Sequence, residues 1–187
     1  TELCLMGKVD RLDGWLHDGR LYLRVVDYKP GKKSFDLSEI RHGIGIQMLL
    51  YLFTLQKEGA TYFGHPIEPA GVLYLPARDV LLNRDRDISQ EKLAEDIRRE
   101  LRRQGMILGA PEVLTAMEHD ALTSPHYLPI AVGRNGGVKE AIPGALASAE
   151  EIGKLGTYVE KLLHQITREL RDGVIDADPC CHSEEDA

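Results

Sequence analysis

The sequence predicts an α/β fold, a central mixed β-sheet flanked by helices, on three observations. Two apolar stretches, residues 4–12 and 20–29, flank a turn-rich segment that ends in Asp18-Gly19, a strong hairpin signal. A third apolar run, GVLYLPA at 71–77, reads as a further strand. Segments with helical periodicity separate and follow these strands, which is the alternation an α/β chain shows.

The first two strands are antiparallel. In the second, side chains alternate, so Leu21, Leu23, Val25, Asp27 and Lys29 share one face, and Tyr22, Arg24, Val26 and Tyr28 the other. Apolar positions on both faces predict a sheet covered on each side. After Pro30-Gly31, Asp36 followed by Glu39 resembles a capping box, and a helix is expected over 37–57 with Gln47 and Tyr51 as an i,i+4 pair. Gly43 and Gly45 weaken that helix or permit close packing. Beyond the 71–77 strand, Leu93, Ile97 and Leu101 mark an amphipathic helix over 89–104. Residues 105–147 are punctuated by Gly and Pro, with a short strand at 127–132 and a loop at Asn135-Gly136-Gly137. Ser148 with Glu151 caps a long helix closed by Gly173. Residues 1–175 are read as one domain of a larger subunit, and the acidic stretch 176–187 as a disordered tail.

Composition narrows the function. The chain has 187 residues, with 23 Lys and Arg against 30 Asp and Glu, a net charge of −7. That balance argues against a protein whose main business is wrapping nucleic acid electrostatically. A metal-dependent nuclease remains compatible, because it gathers carboxylates at its centre and needs only a local basic rim. No apolar run approaches the ~20 residues that span a bilayer, so no membrane role is expected. The opening TELCLMGKVD shows no basic n-region or cleavage site, and Cys4, Cys180 and Cys181 make no disulfide framework. A reducing, cytoplasmic location is expected.

The chemistry concentrates at Asp10, Asp27, Lys29, Gln47 and Tyr51. Asp27 and Lys29 project the same way from one strand, and the hairpin brings the strand of Asp10 alongside. An Asp and a Lys two apart often decorate an exposed strand. Here, however, the buried-type run LYLRVV leads straight into the pair, and a charged pair ending an apolar strand favours a site. Two aspartates and the Tyr28 backbone carbonyl offer hard oxygen ligands of the kind Mg²⁺ takes. Such a metal polarises a phosphodiester and lowers the pKa of bound water, while Lys29 orients the nucleophile or balances developing charge. All four of Asp10, Asp27, Lys29 and Gln47 should converge on one pocket at the sheet edge.

GKVDRLD, then VVDYKPG after a hairpin, then QMLLYL on a helix, resembles the PD-(D/E)xK nuclease superfamily in its RecB-like branch. That family carries G-(I/V)-D-R-x-D, D-Y-K-(S/T)-G and Q-x-x-x-Y. The resemblance implies a restriction-endonuclease-like core and an Mg²⁺-dependent (or Mn²⁺-dependent) exonuclease acting on DNA. It also implies metal binding by Asp10 and Asp27, catalysis by Lys29, and support from Gln47 with Tyr51. Pro30 departs from the usual hydroxyl residue, and of the acidic or His ligand often found upstream only Glu2 is available. YLPARD and QGMILGAPEVLTAMEHD are similar to the C-terminal nuclease domains of the B-type subunits in AddAB helicase-nucleases. This implies an AddA-like helicase-nuclease partner, processing of double-strand ends for recombinational repair, and an iron-sulfur cluster in the complete family. A cluster needs four thiolates and the chain has three, so it is expected to be incomplete here, with Cys181 and His182 weak ligand candidates.

Lys32, Lys33 and Arg41 are the basic residues expected to meet DNA phosphates. Arg98, Arg99, Arg102 and Arg103 alternate with acids and read as a solvated helix face. His17 and His42 are taken as turn and helix-surface residues and Trp15 as a packing residue. Two rival readings stand beside this one: a non-catalytic DNA-binding or scaffolding module, and a free-standing RecB-like nuclease.

Overall fold

The computed structural model describes residues 4–31, 33–83, 87–174 and 176; Glu2, Lys32, Cys180, Cys181, His182 and nearly all of the 176–187 tail lie outside them. A mixed five-stranded sheet in the order β1-β2-β3-β4-β7 carries helices on both faces, as the sequence predicts, and a two-stranded sheet, β5-β6, lies apart from it.

β1 (Arg11–His17) and β2 (Arg20–Lys29) form the hairpin. The first strand differs from the expected 4–12. Asp18 (φ 48°) and Gly19 (φ 75°) form a two-residue turn with both central residues at positive φ, so pairing runs right up to His17 and Arg20. Gly14 therefore sits within β1, tight against Leu21 and Leu23, rather than in a loop.

The expected 37–57 helix is two. α1 (Leu37–Arg41) is capped by the Asp36 carboxylate, which accepts from the Ser38 N–H. The chain then breaks at Gly43 (φ 78°) and Gly45 (φ 70°), left-handed positions that a continuous helix excludes, and α2 (Gln47–Phe63) starts at Gln47. β3 (Ile67–Pro76) runs parallel to β2, with a register shift between Leu23 and Arg24. That shift leaves Ala70 as the extra residue beside Pro69, whose missing N–H suits a bulge.

α3 (Gln90–Glu100) is shorter than expected, and Gln104–Leu108 forms β4, antiparallel to β3, where the sequence suggested the end of a helix and a loop. Three further elements were also unforeseen: α4 (Pro111–Met117), β6 (Val138–Glu140) and β7 (Leu146–Ala147). β5 (Ile130–Val132) falls inside the expected 127–132 strand. α5 (Ala149–Asp172) has the anticipated Ser148–Glu151 capping box and ends at Gly173 (φ 72°).

On one sheet face Val25, Val72 and Met106 pack with Leu49 and Leu52 of α2 and Ile152 and Val159 of α5. On the other, Leu73 and Ile107 pack with Leu114 of α4 and with Leu128 and Ile130. Burial of these side chains, each worth roughly 1.5–3 kcal/mol, fixes the ends of β2 and β3 where the polar residues emerge. Among the described residues no helix is long and apolar enough to cross a membrane.

Candidate active site

One row of residues crosses the sheet on the α2 face. Asp27 lies beside Tyr74 of β3, and Tyr74 opposite Gln104 of β4. The β1–β2 register ends at Arg11 with Val26; one step further sets Asp10 opposite Asp27, on the same face. An Asp10 carboxylate oxygen accepts from the Tyr28 N–H at 3.4 Å.

Asp27 emerges where the buried run Leu23–Val26 ends, and its side chain is 19% exposed. Its Oδ2 is buried and has no hydrogen-bond donor, although the Lys29 Nζ approaches to 2.5 Å. The ammonium neutralises charge there without the alignment of a hydrogen bond. Lys29 itself stands 5.7 Å from the Tyr74 ring centre. Burial pushes the Tyr74 hydroxyl pKa up, and the charges of Asp27 and Glu39 add to this.

A buried carboxylate oxygen without a donor is costly unless a cation completes it. Asp10 and Asp27 supply two carboxylates. The Tyr28 carbonyl leaves β2 on the same edge as the N–H that meets Asp10, past the last residue of β2 paired with β1. Among the described residues no three His, Cys, Asp or Glu side chains gather as a metal cage. The donor set is thus small, hard and oxygen-only, which fits a divalent cation that keeps several waters and does not fit structural zinc.

Gln47 and Tyr51 meet as expected: Gln47 Nε2 donates to the Tyr51 hydroxyl at 3.0 Å. Tyr51 also lies against Gly7, where an added Cβ would come within 2.5 Å of the ring and hydroxyl. Gly7 precedes Asp10 by three residues, so the Tyr51 ring braces the segment that delivers the first carboxylate.

Sequence reasoning missed the clamp behind this row. Asp13 accepts from Arg11 Nε (2.6 Å) with one oxygen and from Arg24 Nη2 (2.5 Å) and Nε (3.2 Å) with the other. Arg24 is buried, its side chain 10% exposed. Burial pushes the Asp13 carboxyl up, but the two guanidiniums outweigh it and hold its pKa below the ordinary value. Arg11 also donates to the Tyr28 hydroxyl at 3.2 Å, so the clamp spans both strands of the hairpin. The Arg-x-Asp spacing in GKVDRLD was the available signal.

Lys29 opens into a cleft of about 360 Å³ that neither Asp10, Asp27 nor Gln47 lines, so the four expected residues do not share one cavity. Lys33, Arg78, Arg99 and Arg102 line it instead. Arg41 faces a different cavity, of about 560 Å³, and its carbonyl accepts from the Tyr158 hydroxyl at 2.7 Å. Trp15 packs as expected, stacked on His17 at 4.4 Å.

The chain matches the PD-(D/E)XK nuclease superfamily over residues 2–183. It is 34% identical over 175 residues to the B-type subunit of the ATP-dependent helicase/deoxyribonuclease from Clostridium botulinum (strain Loch Maree / Type A3), covering 94% of this chain and 15% of that protein. The protein of the same name from Oceanobacillus iheyensis is 29% identical over 187 residues, covering 100% of this chain and 16% of the relative. The chain thus spans about 15% of the length of the curated relatives it matches.

Proposed function

Because the chain belongs to the PD-(D/E)XK nuclease superfamily, we propose that it is the DNA-cleaving module of a helicase-nuclease, an Mg²⁺-dependent exonuclease that hydrolyses phosphodiester bonds at Asp10, Asp27 and Lys29. The names of its relatives support a deoxyribonuclease subunit that works with a helicase partner of AddA type on double-strand ends during recombinational repair. The observation that carries the reading is the buried, donorless Asp27 Oδ2 beside the Lys29 ammonium and on the same face as Asp10. A scaffolding module would have no use for so costly an arrangement.

Asp10, Asp27 and the Tyr28 carbonyl would hold the divalent cation, which supplies a more acidic water and polarises the phosphate. Lys29 stays protonated beside Asp27, orienting the attacking water and offsetting charge that builds on the phosphate oxygens as the phosphorus–oxygen ester bond breaks. Gln47 and Tyr51 hold the Asp10 segment in place. No part of this chemistry passes through an iron-sulfur cluster, for which the chain's three cysteines cannot make the four-thiolate set by themselves.

The test is Asp27→Ala against Lys29→Ala in the complete helicase-nuclease. Loss of the carboxylate should cost ~3–4 kcal/mol of transition-state stabilisation, a factor of several hundred in cleavage rate. Lys29→Ala should cleave as poorly yet keep its divalent affinity, read by calorimetry, and both should still unwind DNA and hydrolyse ATP. If the Asp27→Ala complex cleaves the strand assigned to this module at near wild-type rate, a non-catalytic role becomes the better account.

A further inference from the structure

The cleft beyond Lys29 is charged against the trend of the chain. Its ionisable lining is Lys29, Lys33, Arg78, Arg99, Arg102 and Glu100, five cations to one carboxylate, in a protein of net charge −7. These cations come from separate parts of the fold: the end of β2, the loop after it, the chain beyond β3 and the end of α3. Such a concentration opposes folding through mutual repulsion unless an anion offsets it.

Their neutralisation within the protein is partial. Lys33 lies 3.9 Å from Glu39, and Arg99 Nη2 bonds Asp96 at 2.8 Å. Arg78 Nη2 donates to Glu100 Oε2 at 3.1 Å, which turns its remaining donors elsewhere. Arg102 has no ion pair among the described residues. The Nε atoms of both Arg78 and Arg102 are buried without an acceptor. Two buried guanidinium donors lining one basic cleft lack an acceptor that a bound anion with several oxygens would supply.

We propose that this cleft seats backbone phosphates of the DNA strand next to the scissile bond, with Arg78 and Arg102 holding their non-bridging oxygens. The proposal rests on the nuclease reading for the identity of the anion. Lys29 joins the two regions, because it lines the cleft and touches Asp27. A phosphate in the cleft is therefore a near neighbour of one at the carboxylates. Contacts of this kind fix the register of the strand and carry no base preference.

The experiment measures binding of a short fluorescent single strand by the full-length protein, using anisotropy in EDTA over a range of salt concentrations, and cleavage of the same strand in Mg²⁺. Arg102→Ala and Arg78→Ala should each weaken binding roughly fivefold and flatten the logarithmic salt dependence by about 0.7. Arg98→Ala, an exposed cation on the same helix outside the cleft, should bind as the parent does. Because Arg78 also holds Glu100, the DNA is varied too. Neutral methylphosphonates beside the cleavage position should weaken binding by the unmodified protein, and Arg102→Ala should then cause no further loss. Parental affinity and salt slope in Arg102→Ala overturn the proposal, as does an equal loss in Arg98→Ala or full additivity between protein and DNA changes. Asp27→Ala keeps the two ideas apart. It should bind normally and not cleave; if it cleaves, the catalytic reading falls, while selective binding losses in Arg78→Ala and Arg102→Ala would still establish the phosphate cleft.

Discussion

Removing the Asp13 carboxylate should destabilise the protein far more than its position on an edge strand suggests. The Arg24 side chain is 10% exposed, and the described contacts give its guanidinium Asp13 as its one carboxylate; Nη1 is already buried without an acceptor. Taking one partner from a buried pair costs ~3–5 kcal/mol, because the other charge stays desolvated. Asp13 is 25% exposed, so water entering the gap recovers part of that, leaving ~2–4 kcal/mol. The Arg11 pair adds at most about 1 kcal/mol, since Arg11 is 47% exposed. Repulsion sharpens the loss. Burial and then the Arg24 charge lower the Arg103 pKa, and Asp13 is among the groups opposing them. Asp13→Ala should therefore cost about 3 kcal/mol in urea unfolding. In an Arg24→Met background the same change should cost under about 1 kcal/mol, a coupling of roughly 2 kcal/mol. An equal cost in both backgrounds would refute the buried-charge explanation.

The same clamp sets an acid limit. Asp13's folded pKa lies below its unfolded one, so its contribution is present above the ordinary carboxylate range and is lost as pH falls through the folded value; the drop in midpoint on acidification should be smaller in Asp13→Asn. Gly7→Val should drive a methyl into Tyr51, displace the Asp10 segment and lower cleavage by at least ~10-fold, with the unfolding midpoint little changed; unaltered turnover would show that Tyr51 does not brace that segment. Gly105→Ala should cost at least ~3 kcal/mol, because Gly105 sits at φ 141° and its Cβ would overlap the Val72 carbonyl oxygen; a calorimetric scan showing a wild-type midpoint would mean β3 and β4 can separate locally.

Much of the site was legible because it depends on local periodicity. Alternation along β2 placed Asp27 and Lys29 on one face, a two-residue turn signal brought Asp10 alongside, and helical spacing paired Gln47 with Tyr51. The long capped α5 was legible for the same reason. QGMIL was not: it follows directly on a charged helical pattern, and Gly105, at a φ no other residue type adopts easily, looks like a loop residue until β3 is seen lying over it. The α1–α2 break was flagged only as weakness, since Gly43 and Gly45 do not say on their own whether a helix bends or stops. The basic cleft could not be read at all. Arg78, Arg99 and Arg102 look like solvated charges in the sequence, and only the packing of α3 beside β3 and β4 turns them toward Lys29.

The Asp18-Gly19 turn lies at the opposite end of the hairpin from the carboxylates, seven paired residues away, or about 24 Å at the rise of an antiparallel strand. β1 has a single neighbour in the sheet, so the turn and the cross-strand contacts alone prevent it from sliding. A slip of one residue would rotate Asp10 to the far side of the sheet while leaving every proposed catalytic side chain in the sequence. The turn thus works as a gauge block that sets the alignment of two metal-binding carboxylates from a distance. A one-residue deletion there would silence cleavage in a protein that still carries Asp10, Asp27 and Lys29.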